Sequence, residues 1–545
     1  MSAIDIVSMH GEIPRVLTHM LPDGYAAQAQ NCHFRFGVIT PVNDDGKSGI
    51  SFSIKPETLF LYSRNKWFTW SGVVDAVNSP VAQDPYGRVY YTDGQYPKVT
   101  SAQIATSGGG PYPSTSYRLG VPAPESAITC VVTTEVVGDP GTQEQDDARE
   151  DETRFYTQTF VTAYGEEGPP GPQSQELTVK QGGAVDLTMQ PPPLQNSNIT
   201  RRRIYRSVSG GGNADFLLVT ELDAGVLSFH DDLLPGQLGP ALETWHYVMP
   251  PDNMTGLCMM ANGIAAGFAG NEVMFSEAFL PYAWPVAYRL STEDEIVAIA
   301  PIGTALVVAT KGQPYLFSGV SPSNISGLKL PLTQACVSRQ SMVVMDGFVL
   351  YAGTNGLVSV SGDGGAIIAT EKILSPEQWR DMFKPSSIKA YQYRGEYVAR
   401  YTKNDGSRAV FIFSPQDMDI RHMSSTFDTA YNDTATDTLY LVKGRGLFIS
   451  QGAKMPLQLV WRSKTFITQA NTSFSCLRIK APYPERVGIS VFADGQPVFM
   501  LPPGALSGSV LKLPPVTGRE WYLELTGFGQ VERVTLSTSM PEMPA

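Results

Sequence analysis

The chain has no CxxC pair, no apolar run long enough to cross a bilayer, and a single basic triplet, Arg201-Arg202-Arg203; its charged fraction is only 17%. Each shortage excludes something. Five cysteines (Cys32, Cys130, Cys258, Cys336, Cys476), odd in number and widely spaced, make neither a disulfide framework nor a zinc site, so reduced thiols are expected. The most apolar stretch, residues 296–309, is short and broken by Pro301, and no membrane insertion is expected. The opening MSAIDIVSMHGEIPR carries Asp5 and lacks the apolar centre of a signal peptide. A net charge of −12 disfavours wrapping DNA or adhering to an anionic membrane, tasks that rest on clustered Lys and Arg. It leaves open a repulsive wall past which DNA slides.

Catalytic signatures are lacking too. Gly46-Lys47-Ser48 resembles the end of a phosphate loop, but Pro41 stands where the first glycine is required. There is no G-x-S-x-G, H-E-x-x-H or G-x-G-x-x-G, and the six histidines (His10, His19, His33, His230, His246, His422) never fall at ligand spacing. A propeller glycosidase would disperse its carboxylates, which brings Asp294, Glu295, Asp346 and Asp363 under consideration, without the Ser-x-Asp-x-Gly-x-Thr-Trp boxes of sialidases. The expectation is no enzyme, with no catalytic, cofactor-binding or metal residue to nominate and no cofactor.

What is present is turn chemistry and aromatics: 51 Gly, 41 Pro, 24 Tyr and 24 Phe in 545 residues, the composition of an all-β protein with three or four domains at roughly 150 residues each. From about residue 255 a unit recurs, a Gly or Asp turn followed by alternating apolar strands, placed at Gly263, Gly303, Gly347, Gly395 and Asp437. Repeats of roughly 40–50 residues built from period-2 strands predict β-propeller blades, which stack around an axis because no blade buries both its faces alone. LFLYSRNKWFTWSG and PYGRVYYTDGQYPKV predict two earlier blade hairpins.

Residues 1–123 are therefore read as an N-terminal segment with the first blades and 247–460 as the remaining blades. Between them, 124–246 carry seven candidate strands (128–134, 154–162, 176–179, 185–189, 203–208, 216–222, 228–230), predicting an inserted fibronectin-III-like sandwich. Its acidic run Glu144–Glu152 lacks the glycine punctuation of a calcium loop and reads as solvated. The arginine triplet reads as a solvated strand edge. Gly168-Pro169-Pro170-Gly171-Pro172 occurs once, without the period of collagen, and reads as an exposed connection between two strands of the insertion, available as a docking edge.

Residues 461–545 predict a C-terminal β-sandwich, with an Asp494-Gly495 hairpin. A helix is predicted at SPEQW, with Ser375 as N-cap, Pro376 at the first position and Gln378 completing a capping box. A shorter one is predicted after Asp23. The aromatics Trp67, Trp70 and Trp284 suit either buried blade anchors or sugar-stacking faces, so a carbohydrate-binding propeller adhesin or fibre component engaging a host surface stands as an alternative reading.

The phrases IPRVLTHMLPDGYAAQAQNCHFRFGVITP, FVTAYGEEGPPGP, RRRIYRSVSG, MMANGIAAGFAGNEVMFSEAFLPYAWP, GQPYLFSG, QACVSRQSMVVMDGFVLYAGTNGLVSV and LPPVTGREWYLELTGFGQVERVTLSTS resemble the tail nozzle proteins (tail hub, tail tubular protein B-like) of short-tailed bacteriophages. The resemblance implies a structural virion protein of the viral tail, made in the host bacterial cytoplasm. It implies a propeller with inserted and terminal β-domains, assembled as a homo-hexamer beneath a tail adaptor or portal-proximal ring. It further implies docking of tail fibres or spikes, retention of the packaged genome, and DNA ejection through a lumen that does not bind DNA specifically. No catalytic residue follows from it.

Overall fold

The structure is a computed structural model that describes residues 3–543 except 64, 137–149, 195, 208–214 and 507–509. Short strands dominate. They form a seven-bladed β-propeller, a sandwich inserted between its second and third blades, and a terminal sandwich built from both ends of the chain.

The inner strands of the seven blades are Thr58–Ser63, Asp75–Asn78, Thr255–Met259, Ile296–Ile302, Val343–Val344, Lys389–Tyr393 and Thr429–Asp433. In each, the strands that follow step outward in sequence order, except that the outermost strand of the seventh blade comes from upstream; the first blade is a two-stranded hairpin, Thr58–Ser63 with Lys66–Trp70, the others have four strands, and the sheet of the sixth continues through Ala26–Gln30 into the terminal sandwich. The recurring turns found in the sequence are the first hairpins of blades three to seven. Gly263, Gly303, Gly347, Gly395 and Asp437 all have positive φ, between 49° and 84°, which is why the unit is marked by glycine.

The ring closes through a strand from far upstream. Gly46–Ser51 lies antiparallel on Gly446–Ile449 as the outermost strand of the seventh blade. Blade one then packs on blade seven through aromatics: the Trp67 ring meets Tyr440 at 4.9 Å and Tyr431 at 5.6 Å, both edge-on.

The insertion has two main sheets. One pairs Thr129–Val136, Gly183–Thr188 and Ser228–Asp231; the other pairs Tyr156–Thr162, Ile199–Ser207 and Phe216–Asp223, with a short pair, Asp151–Arg154 and Leu177–Lys180, beside them. Ile128, Tyr156, Val185, Leu187 and Ile204 fill the layer between the sheets. The acidic run Glu144–Glu152 lies outside the described residues up to 149; Asp151 and Glu152 open the strand pair, where Glu152 holds Arg154.

Two expectations about the insertion are corrected. Arg201–Arg203 is not a solvated edge: Ile199–Ser207 is the central strand of its sheet, and Arg202 is fully enclosed. Arg201 and Arg203 reach Glu221, and Arg203 also reaches Glu167. The Gly168–Pro172 run is not an exposed corner as a whole either: Gly168 and Pro169 are buried, Pro170 and Gly171 are half-buried, and Pro172 is exposed. It lies along Tyr156–Thr162, with the Gly168, Gly171 and Ser174 amides donating to the Phe160, Gln158 and Tyr156 carbonyls at 2.8–3.0 Å. The three prolines fall between those donors, where no amide proton is needed. A Cβ on Gly168 would lie 2.7 Å from Val121 Cγ1, so the run is a packed seam against the incoming linker.

The terminal sandwich differs from the expected 461–545. Ala3–Ile6 pairs with Arg533–Ser537, and Ala26–Gln30 pairs with Leu459–Ser463. Ile4, Ile6, Met9, Ala29, Cys32 and Ile39 share one core with Trp461, Trp521, Leu525 and Val534. Residues 3–41 therefore belong with the C-terminal module rather than with the first blades. The short helix predicted after Asp23 is a strand, because helix-forming Ala and Gln are overridden by pairing with the Trp461 strand. The helix at 376–383 forms as predicted: Ser375 Oγ accepts from the Gln378 amide at 3.2 Å, and Gln378 Oε1 accepts from the Ser375 amide at 2.9 Å. Trp379 and Phe383 anchor it between blades five and six.

Candidate functional site

The inner strands converge on an axial cavity of about 230 Å³, lined by residues from every blade. Thr58, Asp75, Gly256, Ala298, Met342, Tyr391 and Thr429 represent blades one to seven in turn. Most lining residues stand at or just before the start of their inner strand, so the cavity lies at one end of the propeller axis. The inner hairpin turns lie at the other.

Two ion pairs polarise the wall. Asp75 Oδ2 accepts from the Gly256 amide at 2.9 Å, from Thr92 Oγ1 at 3.0 Å and from the Arg339 guanidinium. Arg339 in turn lies 5.7 Å above the Phe268 ring. Glu57, also in the wall, is paired with Lys389. Gly256 has φ +73°, and a Cβ there would meet the Phe268 ring at 2.4 Å, so only glycine lets the backbone come close enough to donate to Asp75. Tyr391 donates or accepts with Thr429 Oγ1 at 2.9 Å, and burial pushes its phenol up. Both carboxylates that line the cavity are engaged by cations, an arrangement suited to holding a polar group and joining blades rather than to general acid–base chemistry. None of these residues stands out in the sequence. Their only sequence signal is position, at the start of each inner strand.

The carboxylates considered for glycoside hydrolysis are not brought together. Asp294 and Glu295 precede the inner strand of blade four, and Glu295 pairs with Lys311. Asp346 sits in the first hairpin of blade five and Asp363 in its last, at the opposite end of the propeller. Asp363 is held below the usual carboxylate range by the Ser361 hydroxyl and the Gly365 amide. Lys47 and Ser48 lie in the ring-closing strand. Among the described residues no group of three His, Cys, Asp or Glu side chains is placed to hold a metal ion, and no helix is long and apolar enough to cross a membrane. The five cysteines are free thiols, with burial pushing Cys32 and Cys336 up to about 12 and Cys130 to about 11.

The tryptophans considered for sugar stacking use their faces internally. Trp284 is enclosed at the junction of insertion and propeller, and its indole donates to the Pro281 carbonyl at 2.7 Å. Trp67 seals the seam between blades seven and one, and Trp70 packs 5.3 Å from Tyr91.

At that junction Arg88 joins the two modules. It donates to Asp84 at 2.8 Å and to Glu166 of the insertion at 2.7 Å, with its guanidinium over the contacting rings of Tyr86 and Tyr164 at 5.6 and 5.7 Å. Burial raises the Glu166 carboxyl, and Arg88 opposes the shift.

No protein-family profile and no curated protein matches the chain. Solved structures that are similar to it include an exo-β-1,3-galactanase from Phanerochaete chrysosporium, at 10% identity over 52% of this chain and 95% of that one, TM-score 0.20. The WD40 domain of Toxoplasma gondii coronin matches at 9% identity over 63% of this chain and 80% of that one, TM-score 0.26. PorZ, a surface component of the type-IX secretion system of Porphyromonas gingivalis, matches at 10% identity over 90% of this chain and 77% of that one, TM-score 0.24. The propeller itself rests on the strand order and on the ring of inner strands.

Proposed function

We propose that the chain is a structural subunit of a bacteriophage tail nozzle, without catalytic activity, that assembles as a homo-hexamer around a DNA conduit. The reading is carried by one observation: the phrases that resemble the nozzle family are spread over all three modules. IPRVLTHMLPDGYAAQAQ includes the strand Ala26–Gln30 of the terminal sandwich, FVTAYGEEGPPGP is the seam of the insertion, and MDGFVLYAGTNGLVSV is the middle of blade five.

Physical properties support the reading. An acidic chain repels phosphate across about a Debye length, roughly 8 Å at physiological salt, as a conduit for DNA requires. Both termini are tied into one sandwich, and the insertion is clamped by Arg88, so a subunit transmits load as a rigid unit rather than as beads on linkers. Fibres or spikes and a portal-proximal ring are the partners this role implies.

Native mass spectrometry of the purified full chain tests the assembly. A six-copy species is expected, and a monomer at all concentrations and in the presence of virion tail proteins contradicts it.

A further inference from the structure

Three arginines of the insertion are completely enclosed, and two of them are neutralised. Arg154 reaches Glu152 at 2.8 Å and Arg206 reaches Asp231 at 2.7 Å. Arg202, with 0% exposure, has no carboxylate partner among the described residues. Its guanidinium donates only to neutral oxygens: Gln158 Oε1 at 3.1 Å, the Gln190 carbonyl at 3.1 Å and the Ala224 carbonyl at 2.5 Å. Its Nε proton has no partner. A buried cation without a counter-charge is costly, and desolvation accordingly lowers its proton affinity.

The residues that hold Arg202 are also the wall of a cavity. Gln158, Gln190 and Phe160, whose ring the guanidinium overlies at 5.7 Å, line a space of about 250 Å³ together with Pro124, Ser126, Pro191 and Pro193. At about 30 Å³ per water, that is room for roughly eight waters or for one short acidic side chain. Gln158 commits its side-chain oxygen to Arg202, which leaves its amide protons as its remaining side-chain donors, and the residue lines the cavity. The rings of Pro124, Phe160, Pro191 and Pro193 supply apolar walls. Glu125 stands exposed on the rim, in water rather than on Arg202.

We propose that this cavity is a carboxylate-binding site: an anionic carboxylate accepts from the Gln158 amide and is held by the uncompensated charge of Arg202 behind it. The carboxylate comes either from a free small acid or from an acidic side chain of a neighbouring chain. The shared chemistry is the same, and the site is independent of the nozzle reading.

The test uses the full chain at constant ionic strength, titrated by calorimetry and by thermal shift with acetate and, separately, with N-acetyl-glutamate methylamide, chloride serving as the control anion. Saturable binding of a carboxylate, absent with chloride, is expected. Tighter binding of the glutamate probe than of acetate assigns the site to a protein side chain, and the reverse assigns it to a free acid. Gln158→Leu removes the amide donor and should weaken binding at least tenfold, while Arg202→Met should abolish it. If Arg202→Met does not fold, Gln158→Leu alone decides. The proposal is overturned if neither probe binds saturably, or if Gln158→Leu, shown folded by circular dichroism, binds as well as the parent.

Discussion

Gly46 pairs with Ile449 across the last blade, joining two points at opposite ends of the chain and closing the propeller. A Cβ on Gly46 would stand 2.7 Å from the Gly452 carbonyl carbon, backbone that has no room to give. Gly46→Val is expected to lower stability by about 1–3 kcal/mol, the range for forced overpacking. Gly72→Ala, whose new methyl meets nothing within 4 Å, serves as the near-neutral control. Denaturant midpoints of the two variants check this.

The Arg88–Glu166 pair gives a second prediction. Removing Arg88 leaves Glu166 buried without its cation, so Arg88→Met should cost about 3–5 kcal/mol, whereas Arg88→Met with Glu166→Leu should cost much less. A double-mutant cycle read by chemical denaturation measures the coupling. Additive losses would show that the pair does not fasten the insertion to blade two.

A third prediction concerns pH at the joint between blade six and the terminal sandwich. Asp419 is raised to about 6 by burial, against the Gly11 amide that donates to it at 2.6 Å and against Arg421; Asp417 and Glu396 reinforce the rise. Its stabilising effect is complete below the unfolded value near 3.8 and is lost as pH rises through about 6, a change on the order of 3 kcal/mol. His33 is lowered to about 4 by burial and by Arg421, so its effect has the opposite sign: present above 6.5 and lost as pH falls through about 4. Thermal unfolding between pH 4 and 7.5 should show Asp419→Asn gaining on the parent as pH rises, and His33→Gln gaining as pH falls. Parallel pH profiles for parent and variants would refute both assignments.

A fourth prediction tests the blade-spanning role of Asp75. Asp75→Ala removes the acceptor for Gly256, Thr92 and Arg339 at once and should cost about 2–4 kcal/mol, while Asp75→Asn keeps an acceptor and should cost less. Thermal denaturation of the two variants distinguishes them.

The blades were legible in the sequence because each first hairpin needs a residue at positive φ, which leaves a visible mark at Gly263, Gly303, Gly347, Gly395 and Asp437. The helix at Ser375 was legible because its cap is local. What stayed hidden depends on partners distant in sequence. The closing strand 46–51 and the sandwich strands 3–6 and 26–30 have weak patterns of their own and are defined by residues near the other end of the chain. The arginine triplet looked solvated because its charge partners, Glu167 and Glu221, and the neutral cage of Arg202 come from three other segments. The axial cavity was invisible for the same reason: seven strand starts, unremarkable singly, meet only once the ring is closed.

The most direct test of the nozzle reading is electron cryo-microscopy of an intact virion that carries this chain. The account predicts six copies of the seven-bladed propeller, with its inserted and terminal sandwiches, arranged as a ring around the DNA path at the tail. Density for the chain at any other copy number, or its absence from the tail, would contradict it.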